Sequence, residues 1–167
     1  MNKYKTFAPR FLALILDTVL LLPLAIAADA LTESAFSENQ QNIFLAALNL
    51  VNVVYFVVLH GLYGQTAGKY LTGVKVVRVD DSPISFVQAC VRNLPQIILV
   101  LISLVPVMNL ELGGTAEAPL TPVSILIACW GMADVAGFII SPKGRALHDM
   151  IAGTVVIRLE KNKGVGN

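Results

Sequence analysis

The sequence predicts an all-α membrane protein: a bundle of four transmembrane helices with both termini in the cytoplasm, short cytoplasmic strand segments and an interfacial helix. Three observations carry that prediction. Hydrophobic residues make up 56% of the 167 and charged residues only 14%, against roughly a quarter charged in an average soluble domain. The apolar residues gather in four blocks, each close to the roughly 20 residues that cross the hydrocarbon core of a bilayer. Lysine and arginine are confined to alternate connections between those blocks.

The first block covers residues 7–28 and is interrupted by Arg10, Asp17 and Thr18. Lys3, Lys5, the apolar stretch and Ala25-Ile26-Ala27 together resemble a cleavable signal peptide, but Asp17 inside the run and the length of the run favour a retained helix. The second block, 43–62, carries Asn49, Asn52 and His60. The third, 86–108, opens with a mixed stretch holding Arg92, Asn93 and Gln96, which predicts an interfacial or kinked start bent at Pro95. The fourth, 122–140, follows Thr121-Pro122, a cap and a first-turn proline; it stops at Ser141-Pro142 and contains one charge, Asp134. These helices form a single domain over residues 1–160, with 161–167 a short polar tail.

Orientation follows from the twelve basic residues. Lys3, Lys5 and Arg10 precede or open the first helix; Lys69, Lys75, Arg78 and Arg92 lie between the second and third; Lys143, Arg145, Arg158, Lys161 and Lys163 follow the fourth. The other two connections hold only acids, Asp29, Glu33 and Glu38 in one and Glu111 and Glu117 in the other. The basic segments are therefore expected in the cytoplasm and the acidic ones outside, in the cell membrane as a multi-pass protein.

Ser37-Glu38-Asn39-Gln40 has the spacing of a capping box and starts the second helix. Between the second and third helices, Gly61, Gly64, Gly68 and Gly73 surround Lys69. Val74-Lys75-Val76-Val77-Arg78-Val79 then reads as a short strand and Asp80-Asp81-Ser82-Pro83 as a turn. A matching segment, 154–159, lies near the C-terminus, so the two are able to pair on the cytoplasmic face. The glycine-rich stretch is not a phosphate loop, because its glycines are one residue too close and Tyr70, not serine or threonine, follows Lys69. Its plainer reading is a tight turn and an interfacial helix, with Lys69 and Lys75 near anionic headgroups. Cys90 and Cys129 suggest neither a disulfide framework nor a metal site, and His60 and His148 stand apart from any ligand set. A contact of His148 with its neighbour Asp149 is the simple expectation.

An ionisable side chain near the bilayer centre costs at least about 2.5–3.5 kcal/mol on insertion scales and marks a functional position. Asp17 lies about 15 Å along the first helix at 1.5 Å per residue, and Arg10 shares its face to within about 20°. Asn49 and Asn52 share a face of the second helix, and Asp134 lies about 10 Å from the inner end of the fourth. Asp17, Asn49, Asn52 and Asp134 are therefore the candidate ion or proton site. The competing reading is interhelical glue, with Asp17 hydrogen-bonded to Asn52, such bonds averaging only about 0.6 kcal/mol.

Arg10-Phe11, Asp17, Gly64-x-Thr66-x-Gly68-Lys69, Gly73-x-Lys75-Val76-Val77, Arg92 and Arg145-x-x-His148-Asp149-x-x-Ala152-Gly153-Thr154-x-Val156 resemble the RDD family of small bacterial integral membrane proteins, over almost the whole chain. In that resemblance Arg10 and Asp17 fill the first two named positions, and the third maps onto Asp149, with Asp134 as the alternative. Members usually have glycine in the turn after the valine strand, where this chain has Asp81-Ser82. The resemblance implies a transport role, exchange of sodium or another monovalent cation for protons, and a location in the bacterial inner membrane. It also places Asp149 beside Arg145 near the membrane surface, where pairing with Arg10 is expected to fasten the C-terminal segment under the first helix.

Two function classes follow. One is a small cation/proton exchanger that uses the midplane aspartate, Asp17, as its coupling residue, working as a homo-oligomer because four helices barely enclose a pathway. The other is a non-transporting membrane protein that binds a partner protein or lipid through its basic inner loop. No nucleophile paired with a base, no metal set and no cofactor motif points to an enzyme, and nothing points to nucleic acid.

Overall fold

The computed structural model describes residues 3–104 and 120–159. The expected outer connection after residue 108, the end of the third block and the tail 161–167 lie outside the described residues. In chain order the elements are α1 Phe7–Ala35, α2 Glu38–Tyr63, α3 Ala67–Leu71, β1 Val74–Arg78, α4 Phe86–Arg92, α5 Leu94–Ser103, α6 Leu120–Ile140, α7 Leu147–Ile151 and β2 Thr154–Arg158.

Two helical stretches, Phe7–Ala28 in α1 and Ile43–Tyr63 in α2, are long and apolar enough to cross a membrane, and Ile125–Ile140 in α6 is a shorter apolar one. Their large side chains point outward: Leu20, Leu50, Leu126 and Ile139 are all exposed. Water does not tolerate so continuous an apolar surface, whereas hydrocarbon does. Helix α1 runs seven residues past the end of its apolar block and α2 starts five before the start of its own, at the expected Ser37 box, so the connection between them shrinks to Phe36 and Ser37. The Ser37 box is formed, with the Gln40 side chain accepting from the Ser37 N–H at 2.9 Å.

The third block is two helices rather than one bent at Pro95. Ser85 and Gln88 cap the start of α4, with the Gln88 N–H donating to the Ser85 hydroxyl at 3.3 Å and the Ser85 N–H to Gln88 Oε1 at 3.1 Å. The break falls at Asn93, whose φ of −95° and ψ of 13° leave the helical basin, and whose Nδ2 donates back to the Ala89 carbonyl at 2.7 Å. Pro95 then sits in the first turn of α5, where its missing N–H costs nothing. Helix α6 begins at Leu120, one residue ahead of the expected Thr121 cap.

The two valine segments pair as antiparallel strands, Val74 opposite Arg158, Val76 opposite Val156 and Arg78 opposite Thr154. Val74, Val76, Val156, Ile84 and Ala89 form a buried core against Val57 of α2. Gly64 ends α2 in the left-handed conformation at φ 69°, and a Cβ there would meet the Val76 carbonyl oxygen at 2.5 Å. Asp81 takes φ 66° in the turn after β1, a conformation that aspartate tolerates better than most residues; its carboxylate pairs with Lys3 at 2.8 Å. The Arg158 N–H donates to the Lys3 carbonyl at 2.9 Å. The N-terminal segment, the connection after α2 and the C-terminal strand thus meet at one end of the helices.

Candidate functional site

Asp17 is buried and fully engaged. Its Oδ1 accepts from the Tyr55 hydroxyl at 2.9 Å and the Gly68 N–H at 2.8 Å, and its Oδ2 from the Thr66 hydroxyl at 2.6 Å. Thr66 is also the N-cap of α3, accepting weakly from the Lys69 N–H at 3.4 Å, so a single hydroxyl ties the short helix to α1. A carboxylate at a helix start satisfies donors that have no partner in the helix. Gly68 permits the approach: a Cβ there would overlap the Ala13 carbonyl oxygen and lie 2.9 Å from Asp17 Cγ. The glycine-rich segment therefore wedges α3 against α1, where a helix lying under the bundle was expected.

Asn52 is not a partner of Asp17. Asn49 and Asn52 instead line a separate cavity of about 380 Å³ with Leu21, Leu24 and Leu48. The four residues expected to share one site are thus divided. Of the actual partners, Tyr55 escaped the sequence reading because a tyrosine in an apolar helix has ordinary explanations, while Thr66 and Gly68 belong to the family motif, which does not name them as partners of Asp17.

The second cluster is built on Asp149, which has no exposed surface. Arg10 Nη1 pairs with its Oδ2 at 2.9 Å, and Arg92 Nη1 contacts its Oδ1. The Ala146 N–H donates to Oδ2 at 3.2 Å, closing the first turn of α7. Arg145 fastens the next strand, with Nε donating to the Thr154 carbonyl at 2.8 Å and Nη2 to the Asp149 carbonyl at 3.2 Å. The expected contact between Arg10 and Asp149 is present, and Arg92 is the partner that the sequence did not disclose. Arg10 also lies over the Phe138 ring of α6 at 5.5 Å, while its Nε and Nη2 are buried without a hydrogen-bond partner.

Two further pairs complete the site. His148 gives Asp134 both its backbone N–H, at 3.0 Å, and its ring Nδ1, at 2.7 Å; its other nitrogen is 3.6 Å from Asp149, so the close partner is Asp134 and not the neighbour in sequence. The carboxylate requires the proton on Nδ1. Burial, with the charge of Arg92, pushes the His148 pKa down to about 4 even though Asp134 opposes it, so the ring is neutral at pH 7. Lys69 turns inward, and its Nζ lies 2.6 Å from His60 Nε2. Burial, then Arg92 and Arg10, push the Lys69 pKa well below the usual lysine value.

Seven of these groups face one cavity of about 590 Å³, behind which Asp149 is buried. Arg10 and Asp17 reach it from α1, His60 from α2, Lys69 from α3, Arg92 from α4, Asp134 from α6 and His148 from α7, with apolar walls from α5 and α6. The arrangement can hold a small charged solute, and its His148–Asp134 pair can pass a proton.

No curated protein and no solved structure matches the chain at a significant level. The model of the RDD family matches residues 4–153, a span that takes in α1 through α7 with the Asp17, Asp134 and Asp149 clusters, and the chain belongs to that family.

Proposed function

We propose that the protein is a small transport protein of the bacterial inner membrane, and that the charged cavity is its solute site, where a monovalent cation is exchanged for protons. In this reading α1, α2, the α4–α5 segment and α6 cross the bilayer, and the strand-bearing end, where the basic segments collect, lies in the cytoplasm. One observation carries the proposal: ionisable side chains from six helices converge on a single cavity beside apolar helices. Such groups are costly in a membrane and mark ion and proton pathways when they face a cavity.

The exchange group in this reading is the Asp134–His148 pair. Asp17 has three donors and 3% exposure, whereas the Asp134 and His148 side chains are 24% and 23% exposed. A proton on the pair and a cation on the Asp134 carboxylate exclude each other: the cation displaces the imidazole and the proton leaves, so the two occupy the pair in turn. Asp17 keeps α3 in place. A homo-oligomer is part of the proposal, since four helices barely enclose a pathway of their own.

The experiment is cation-driven pH change in inverted membrane vesicles. Sodium or potassium added to vesicles carrying the wild type is expected to release a pH gradient, and Asp134→Asn to abolish that response at unchanged protein level. A wild type that moves no monovalent cation would instead favour a binding role for the basic inner loop, around Lys75 and Arg78, toward a protein or lipid partner.

A further inference from the structure

We infer that the cavity also seats the acidic head of a membrane lipid, a phosphate carried on acyl chains, with Lys69 as the counter-ion and the apolar wall of α5 and α6 receiving the start of a chain. This goes beyond cation exchange and does not depend on it.

The acids around the cavity are already occupied. Asp17 accepts three hydrogen bonds, Asp134 two from His148, and Asp149 is held by Arg10, Arg92 and the Ala146 N–H. The basic groups are not matched in the same way. The close partner of Lys69 is an imidazole nitrogen, not a carboxylate, and an ammonium that donates to Nε2 needs that nitrogen unprotonated. Arg10 spends Nη1 on Asp149 and leaves Nε and Nη2, the edge that suits an oxyanion, buried without partners. Two cationic groups with spare donors, Lys69 and Arg10, give their side of the cavity a place for an anion, apart from the Asp134 carboxylate. Lowering of the Lys69 pKa by burial and by Arg92 and Arg10 is the cost that such an anion would relieve.

The walls select what the anion is attached to. Ile98 of α5 and Leu126 and Ile127 of α6 line the cavity and are themselves exposed, so its apolar side continues into the outer surface of the helices. A phosphate carried on acyl chains can enter along that surface and keep its chain on the apolar wall, whereas a free inorganic anion gains nothing from it. A volume of about 590 Å³ falls within the usual range for small-molecule sites, about 300–1,000 Å³, enough for a headgroup and the first carbons of a chain.

The test uses the full chain in a non-ionic detergent and follows its melting temperature while phosphatidylglycerol, phosphatidylcholine of the same acyl chains, or inorganic phosphate is added. Phosphatidylglycerol is expected to raise it saturably, and the other two to leave it near the starting value. Lys69→Gln keeps a donor for His60 but removes the charge, and is expected to weaken the phosphatidylglycerol half-saturation by about tenfold or more. Should that variant not fold, Ile98→Trp keeps every cation and narrows the wall, and the same weakening is expected. Equal shifts from the two lipids, a full shift from phosphate alone, or undiminished response in a folded variant would each overturn the site. Vesicle exchange is read separately, so its failure leaves this result standing.

Discussion

Asp17 and Asp149 are both buried carboxylates, and the structure gives both of them fastening work. The sequence disclosed Asp149 better. Its pairing with Arg10 follows from two charges of the same motif set that must share a depth, whereas the partners of Asp17 are Tyr55, which carries no signal, and Thr66 and Gly68, which stand in the family motif without any mark that they meet Asp17. Each hydrogen bond to a charged group contributes about 1.5–3 kcal/mol. Asparagine offers one acceptor oxygen and turns an NH₂ toward the remaining donors, so Asp17→Asn is expected to cost about 3 kcal/mol or more, seen as a lower melting temperature and lower protein level. Removing one partner of a buried ion pair costs about 3–5 kcal/mol, which is the expected loss in Asp149→Ala. A double-mutant cycle on Arg10 and Asp149 should show coupling of about 0.5–3 kcal/mol; additive losses would count against the contact. His148 supplies a pH dependence. Its folded pKa of about 4 lies below the unfolded value of about 6.5, so between those values the unfolded chain binds the extra proton. Stability therefore falls as pH drops from 6.5 toward 4, with Asp134, Arg92, Lys69 and Asp149 as the charged neighbours. His148→Gln, melted across that range, is expected to flatten the profile.

The strands were legible as elements because valine alternating with charge has only one economical conformation, and their pairing joins residues more than seventy positions apart. The start of α2 was legible too, through the Ser37 and Gln40 cap. The break in the third block was misplaced. Proline is the usual suspect for a bend, but here Asn93 stops α4 by bonding back to Ala89, and Pro95 merely starts α5. Nor did the sequence disclose that α3 packs into α1, since a five-residue helix with an exposed Tyr70 and Leu71 reads as interfacial; what wedges it is Gly68 meeting the Ala13 carbonyl. Gly68→Ala should drive the two apart. Overpacking costs about 1–3 kcal/mol, to which partial loss of the Asp17 bonds is added, so a drop in melting temperature is expected together with faster proteolysis between residues 64 and 73.

At the level of the whole molecule, the segregation of lysine and arginine and the meeting of Lys3, Asp81 and Arg158 at one end of the helices point the same way. The basic segments fold together because the N-terminal backbone extends the strand edge and the Asp149 cluster ties α1, α4 and α7. What no single stretch of sequence contains is the cavity, since its ionisable residues come from six helices and become neighbours only on folding. The claim that this cavity works on cations and protons is tested most directly with purified protein in proteoliposomes loaded with a pH-sensitive dye. Sodium or potassium added outside is expected to change the internal pH with wild type, and Asp134→Asn, shown to be folded by its melting transition, to give the response of empty liposomes. A folded Asp134→Asn protein that exchanges as wild type does, or a wild type indistinguishable from empty liposomes, would contradict the account.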